Sequence, residues 1–199
     1  SLMRTLDLPC GINIDGERLQ YLLFADDIVL IADDPSTLEQ SLSALSSAAN
    51  NIGLEIHKGK PQWMKNKFAR DSAISLDGAQ IELVSSYVYL GQSINMNNDI
   101  TSEISRRRKA GWAAFNKYRE VILDKRLDAQ IRSHIFNTHV LPALTYASET
   151  WNTTKSEEER LAVTQRAMER AMCRVSLMDR IPAEEIRRRT GVKDVIETI

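Results

Sequence analysis

From Ile100 to the C-terminus apolar residues recur at spacings of three and four, whereas before Ile100 they fall in short runs broken by Gly, Asp and Pro. Side chains repeat about every 3.6 residues along a helix and every two along a strand, so the two halves cannot share one architecture. The chain is predicted to be α+β, with a β-rich first part and an all-α second part dividing within Gln92–Asp99. In the second part Ile104, Trp112, Phe115, Tyr118 and Ile122 mark one helix. Ile131, Ile135, Thr138 and Leu141 mark another, bent or broken at Pro142, because proline removes a helix hydrogen bond and crowds the preceding turn. Ser156 with Glu159 is predicted as the capping box of a third, carrying Leu161, Met168, Met172 and Val175. Pro182 opens a short fourth that Gly191 stops.

The first part centres on Tyr21–Ala32, where two adjacent carboxylates, Asp26 and Asp27, stand between apolar, β-prone runs. The pattern predicts a hairpin with the pair at or near its tip, although the usual Asn-Gly or Asp-Gly signal is missing. Unit charges about 4 Å apart repel by roughly 1 kcal/mol in water and several-fold more in a partly buried site, so the pair is either a divalent-metal site or an acidic turn. Of the two, Asp26 is the expected direct ligand and Asp27 the weaker one, since neighbours on a strand point to opposite faces. Asp34-Pro35, or Ser36 with Glu39, opens a helix whose Leu38, Leu42, Leu45, Ala49 and Ile52 form a row that packs on strands, ending at Gly53. Short strands are expected over 54–57, 62–68, 73–76, 79–84 and 88–90, with Asp77-Gly78 as a type I′ turn.

Charge divides with the period. Through Ile100 the chain has 7 Lys+Arg against 13 Asp+Glu, and beyond it 19 against 14, a net of −6 followed by +5. That asymmetry fits a metal-seeking part joined to a phosphate-contacting part, or two halves that attract each other. Two cysteines, Cys10 and Cys173, without a pairing pattern argue for a reducing compartment, cytoplasm or nucleus, and no apolar run approaches the roughly 20 residues of a membrane span. His134, His139 and Cys173 lack zinc-site spacing and are expected to be structural.

Phe24-Ala25-Asp26-Asp27 resembles the Phe/Tyr-x-Asp-Asp catalytic motif of reverse transcriptases, and the likeness extends in order along the chain. Residues 11–19 are similar to the lead-in strand and turn of non-LTR (LINE-type) retrotransposon polymerases, residues 53–60 to their next palm motif, and Tyr87–Gly91 to their primer grip. Residues 140–151 and 165–170 look like the thumb region of that family's endonuclease-reverse transcriptases. The resemblance implies a partial polymerase palm over 1–95, an antiparallel sheet with a packing helix, followed by a thumb-like helical bundle over 96–199. Fingers and the first catalytic Asp would lie before residue 1. Met3 reads as a natural start preceded by a tag remnant, which would make the chain a product in its own right, domesticated from a retroelement.

The resemblance also implies roles. Asp26 and Asp27 would hold Mg2+, and Lys60 would neutralise the departing pyrophosphate, in a setting altered by His57 and Pro61. Tyr89, Leu90 and Gly91 would meet a primer. Arg106, Arg107, Arg108 and Lys109 on the first helix, and Arg166, Arg170 and Arg174 spaced by four on the third, would meet phosphates or else form solvated faces. The expected function is a reverse-transcriptase-derived palm–thumb fragment, inactive alone and without a cofactor, that binds RNA, an RNA–DNA hybrid or protein, including another copy through an exposed palm edge. The alternative is part of an active, Mg2+-dependent RNA-directed DNA polymerase completed by segments outside this chain.

Overall fold

A computed structural model describes Met3 and residues 6–199, and it is α+β, with short two-stranded sheets and helices. The chain divides into two compact units, one of residues 1–87 with 95–97 and the other of residues 88–94 with 98–199.

In the first unit, β1 (Ile12–Ile14) pairs with β2 (Glu17–Leu19), and β3 (Tyr21–Phe24) with β4 (Asp27–Leu30), both antiparallel. The organising element is α1 (Pro35–Asn51). Asp34 caps it, accepting from the Thr37 N–H at 2.9 Å and from the Ser36 and Thr37 hydroxyls, which holds its carboxyl well below the usual range. Glu39 does not complete a capping box with Ser36; it accepts instead from the Ser75 N–H and hydroxyl at 2.7 and 2.6 Å. Along one face of α1, Leu45 packs with Met3, Leu8 and Cys10, while Leu38 and Leu42 pack on Trp63, Ile74, Leu76 and Ile81. Ser41 is buried because its hydroxyl accepts from the Cys10 N–H at 3.1 Å and donates to the Thr37 carbonyl. Ile52, expected in the apolar row, is the C-cap and is exposed.

The expected strands shrink to β5 (Gln62–Trp63), β6 (Ser75–Leu76), β7 (Ala79–Gln80) and β8 (Glu82–Leu83), and residues 54–57 form none. The turn Asp77-Gly78 joins β6 to β7 with φ of 48° and 80°, the signs a type I′ turn requires. β5 pairs with β8 in parallel across an intervening hairpin, a long-range contact that alternation along the sequence does not announce. β9 (Ser86–Tyr89) then pairs with β10 (Gln92–Asn95), a strand that falls where the sequence suggested a boundary.

The second unit is helical. α2 (Thr101–Lys117) ends at Tyr118 and a short α3 (Arg119–Ile122) follows, where periodicity suggested one helix. α4 (Ala129–Ile135) passes through a π-helical turn, Phe136–Val140, into α5 (Leu141–Thr145). The α-helical register expected to bend or break at Pro142 is thus interrupted just before that residue. Pro142 sits in the first turn of α5, where the widened register spares the N–H that proline lacks. α6 (Lys155–Cys173) starts earlier than expected, because Thr154 and Glu157, not Ser156 and Glu159, form the capping box. Thr154 is extended, so its hydroxyl and N–H face the first turn. α7 (Ala183–Thr190) ends at Gly191 as expected. Ile104, Phe115, Phe136, Leu144, Leu161 and Met168 fill the core. Gln165, fully buried, donates to the Lys193 carbonyl at 2.6 Å and accepts from the Val195 N–H at 2.7 Å, fastening the C-terminal segment to α6.

Candidate functional site

Phe24 opposes Asp27 at the end of the β3–β4 ladder, leaving Ala25 and Asp26 as a two-residue turn. Ala25 takes φ of 52°, a left-handed conformation that its Cβ disfavours. Both aspartates are exposed, as are Leu22, Leu23, Phe24 and Ile28; Phe24 is 61% exposed. A carboxylate pair with nothing else around it binds Mg2+ only through added water or phosphate oxygens. Among the described residues no cluster of three or more His, Cys, Asp or Glu is arranged to hold a metal. Lys60 has an exposed side chain in a turn whose amide donates to the His57 carbonyl at 3.1 Å.

The Tyr89–Leu90–Gly91 turn is built very differently. Leu90 and Gly91 have φ of 47° and 79°, and a Cβ on Gly91 would lie 3.1 Å from the Tyr146 ring, so glycine answers both a backbone and a packing demand. Tyr146 donates to the Leu90 carbonyl at 3.2 Å, and the Arg107 guanidinium stacks 4.5 Å over the Tyr146 ring. Arg106 and Arg107 both donate to the Gly91 carbonyl.

Glu103, fully buried, holds this arrangement. One carboxylate oxygen accepts from Arg107 Nε at 2.5 Å and Arg106 at 2.9 Å, the other from Arg106 Nε at 2.9 Å and the Ser93 N–H at 2.8 Å. Burial alone would raise the carboxyl, but the bonds from Arg106, Ser93 and Arg107 outweigh it and hold Glu103 below its ordinary range. Neither Glu103 nor Tyr146 stands out in sequence as a site residue. The spacing of Glu103 to Arg106 and Arg107, three and four, is a visible signal for the first; Tyr146 has none at its distance along the chain.

The remaining basic residues divide between internal and outward roles. Arg107 is buried, and Arg108 donates to the Thr164 hydroxyl at 2.7 Å, lacing α2 to α6 together with the Arg160 to Ser105 bond at 2.9 Å. Lys109 is exposed. Arg166 pairs with Glu159, Arg170 is half-buried, and Arg174 lies past the end of α6 as its C-cap with φ of 55°, so the three do not extend one helical row. Glu169 is buried against Arg187; burial pushes its carboxyl up further than Arg187 draws it down.

No protein-family model matches the chain, and no solved structure does. A transposon-derived protein of Caenorhabditis elegans is 37% identical over 195 residues, covering 94% of this chain and 70% of that protein. Among the described residues no helix is long and apolar enough to cross a membrane. At that identity and coverage, the chain belongs to the family of transposon-derived proteins that this nematode relative represents.

Proposed function

We propose that this chain is a palm–thumb fragment derived from a LINE-type reverse transcriptase, acting in a reducing compartment, cytoplasm or nucleus, by binding and not by synthesis. The observation that carries this reading is the β3–β4 hairpin, whose Asp26-Asp27 tip is exposed together with Leu22, Leu23, Phe24 and Ile28 on a sheet of only two strands. A two-stranded ribbon is marginal in water, and its unpaired edges are templates for another strand. The first partner is therefore polypeptide, another copy or a second protein, laid against this hairpin. The helical unit supplies the second contact, to RNA or an RNA–DNA hybrid, through the basic excess beyond Ile100.

Light scattering over a concentration series tests the first contact. Association is expected for the wild type and should weaken with Leu23→Ser and Ile28→Ser, which change exposed side chains and spare the cores. A wild type that stays monomeric and binds no apolar dye would overturn the hairpin reading. Primer extension on an RNA template with Mg2+ or Mn2+ tests the absence of synthesis: no product is expected, and product that disappears in Asp26→Ala would restore the polymerase alternative, in which Asp26, Asp27 and Lys60 work with Mg2+.

A further inference from the structure

Among the described residues the most exposed apolar side chain, Met178, stands beside the exposed Leu177 on the turn between α6 and α7. Leu177 is 74% and Met178 89% exposed, on a turn that is held at both ends. At the α6 end, Arg174 takes a left-handed conformation, with its N–H on the Ala171 carbonyl and the Val175 N–H on the Arg170 carbonyl. Within the turn, Asp179 accepts from the Ser176 N–H and hydroxyl at 2.6 and 3.0 Å, while Ser176 Oγ accepts from the Met178 N–H at 3.2 Å. Arg180, left-handed at φ of 49°, closes it with a bond to the Leu177 carbonyl. Such bonding sets the two apolar side chains outward on a preformed backbone, and docking on a preformed backbone loses little entropy.

The charge around this turn is one-sided. Residues 170–193 have seven Lys+Arg against three Asp+Glu. Two of those acids are spent locally, Asp179 inside the turn and Glu185 on Arg188 and Arg189. Among the described residues Arg170, Arg174 and Arg180 have no ion-pair partner. Burial pushes the neighbouring Cys173 thiol up, but against it Arg189, Arg132 and Lys125 draw it down, so cations from other elements converge on the same end of α6.

We propose that the Ser176–Arg180 turn is a wedge for nucleic acid: Met178, backed by Leu177, enters a base step while Arg174 and Arg180 take the phosphates on either side. An apolar wedge flanked by cations fits a polyanion with stacked bases, because phosphate contacts position the protein and a Leu or Met side chain replaces part of the stack it opens. This rests on the nucleic-acid contact of the helical unit proposed above and names its point of insertion.

The test uses the full chain and short RNA–DNA hybrids with 2-aminopurine at successive positions, together with salt titrations of affinity. The wild type is expected to bind with salt-sensitive affinity and to raise the fluorescence at one step. Met178→Ser should abolish that rise and weaken binding by about tenfold, the size of one stacking interaction. The double change Arg174→Ala with Arg180→Ala should lower the salt-dependence slope by about two, one for each phosphate no longer neutralised. All three positions are exposed, so the thermal midpoints should stay at the wild-type value. Salt-sensitive binding with no fluorescence rise, unchanged in Met178→Ser, would overturn the wedge and leave the nucleic-acid reading standing. An absence of salt-sensitive binding to any probe would overturn that reading and the wedge with it. Self-association that Leu177→Ser and Met178→Ser abolish, without nucleic-acid binding, would make the turn a protein contact and overturn the wedge.

Discussion

Glu103→Gln should destabilise the chain by about 3–5 kcal/mol, the range for breaking a buried ion pair from one side. Both Glu103 oxygens accept from two donors each, so an amide in place of either oxygen points N–H groups at a guanidinium or at the Ser93 amide. The charge that compensates Arg107, itself buried, is removed as well. Urea denaturation at neutral pH measures the loss. The pH dependence then separates charge from shape. Because the folded state lowers the Glu103 pKa, its contribution is present above the ordinary carboxylate value and disappears as pH falls through the lowered one. Wild-type stability should therefore decline, as pH falls below the ordinary carboxylate range, by more than that of Glu103→Gln. Parallel pH curves would show that the pair adds nothing to folding. Glu169→Gln is the useful contrast: burial raises that carboxyl, and Arg187 keeps Asp194 as a second partner, so a much smaller loss is expected there.

Gly111→Ala is expected to lower stability by about 1–3 kcal/mol, the ordinary cost of overpacking, although alanine is the better helix former by roughly 1 kcal/mol. Gly111 lies in α2 against α5, and a Cβ there would fall 2.3 Å from Leu144 Cδ2 and 2.6 Å from its Cγ. Leu144 is fully buried and cannot swing aside without disturbing its neighbours. Thermal melts of Gly111→Ala and of Gly111→Ala with Leu144→Ala decide the cause. If contact with Leu144 is responsible, the second change adds less to the first than it costs in the wild type.

Periodicity made the helical unit legible, since Ile104, Phe115, Leu161 and Met168 reach the core as their spacing requires. Its errors were local. Thr154 with Glu157 and Ser156 with Glu159 both fit the capping pattern, and only the extended Thr154 backbone separates them. The π-helical turn before Pro142 left no mark because it changes hydrogen-bond register and not composition. In the first unit α1 was visible from its apolar row, whereas the parallel pairing of β5 with β8 depends on chain closure that no local pattern encodes. The candidate site was legible as residues but not as an arrangement. Arg106 and Arg107 read as free cations in sequence, and the reason they turn inward, a fully buried Glu103, is a property of packing. The transposon origin, by contrast, followed from ordered motifs along most of the chain and agrees with the nematode relative.

Among the described residues each strand pair of the first unit has only one hydrogen-bonded seam, so none of these strands is enclosed by neighbours on both sides. Along such a ribbon the outward amides lack sheet partners, and hydrogen exchange reaches them without any unfolding of the unit. The slowest-exchanging amides of this unit are then expected in α1, whose single apolar row reaches both small cores, Leu45 in one and Leu38 and Leu42 in the other. Cooperativity between those cores passes through that helix and through Ile56, which packs against both. A local opening of α1 would release them together, while fraying of any one ribbon would leave the rest in place.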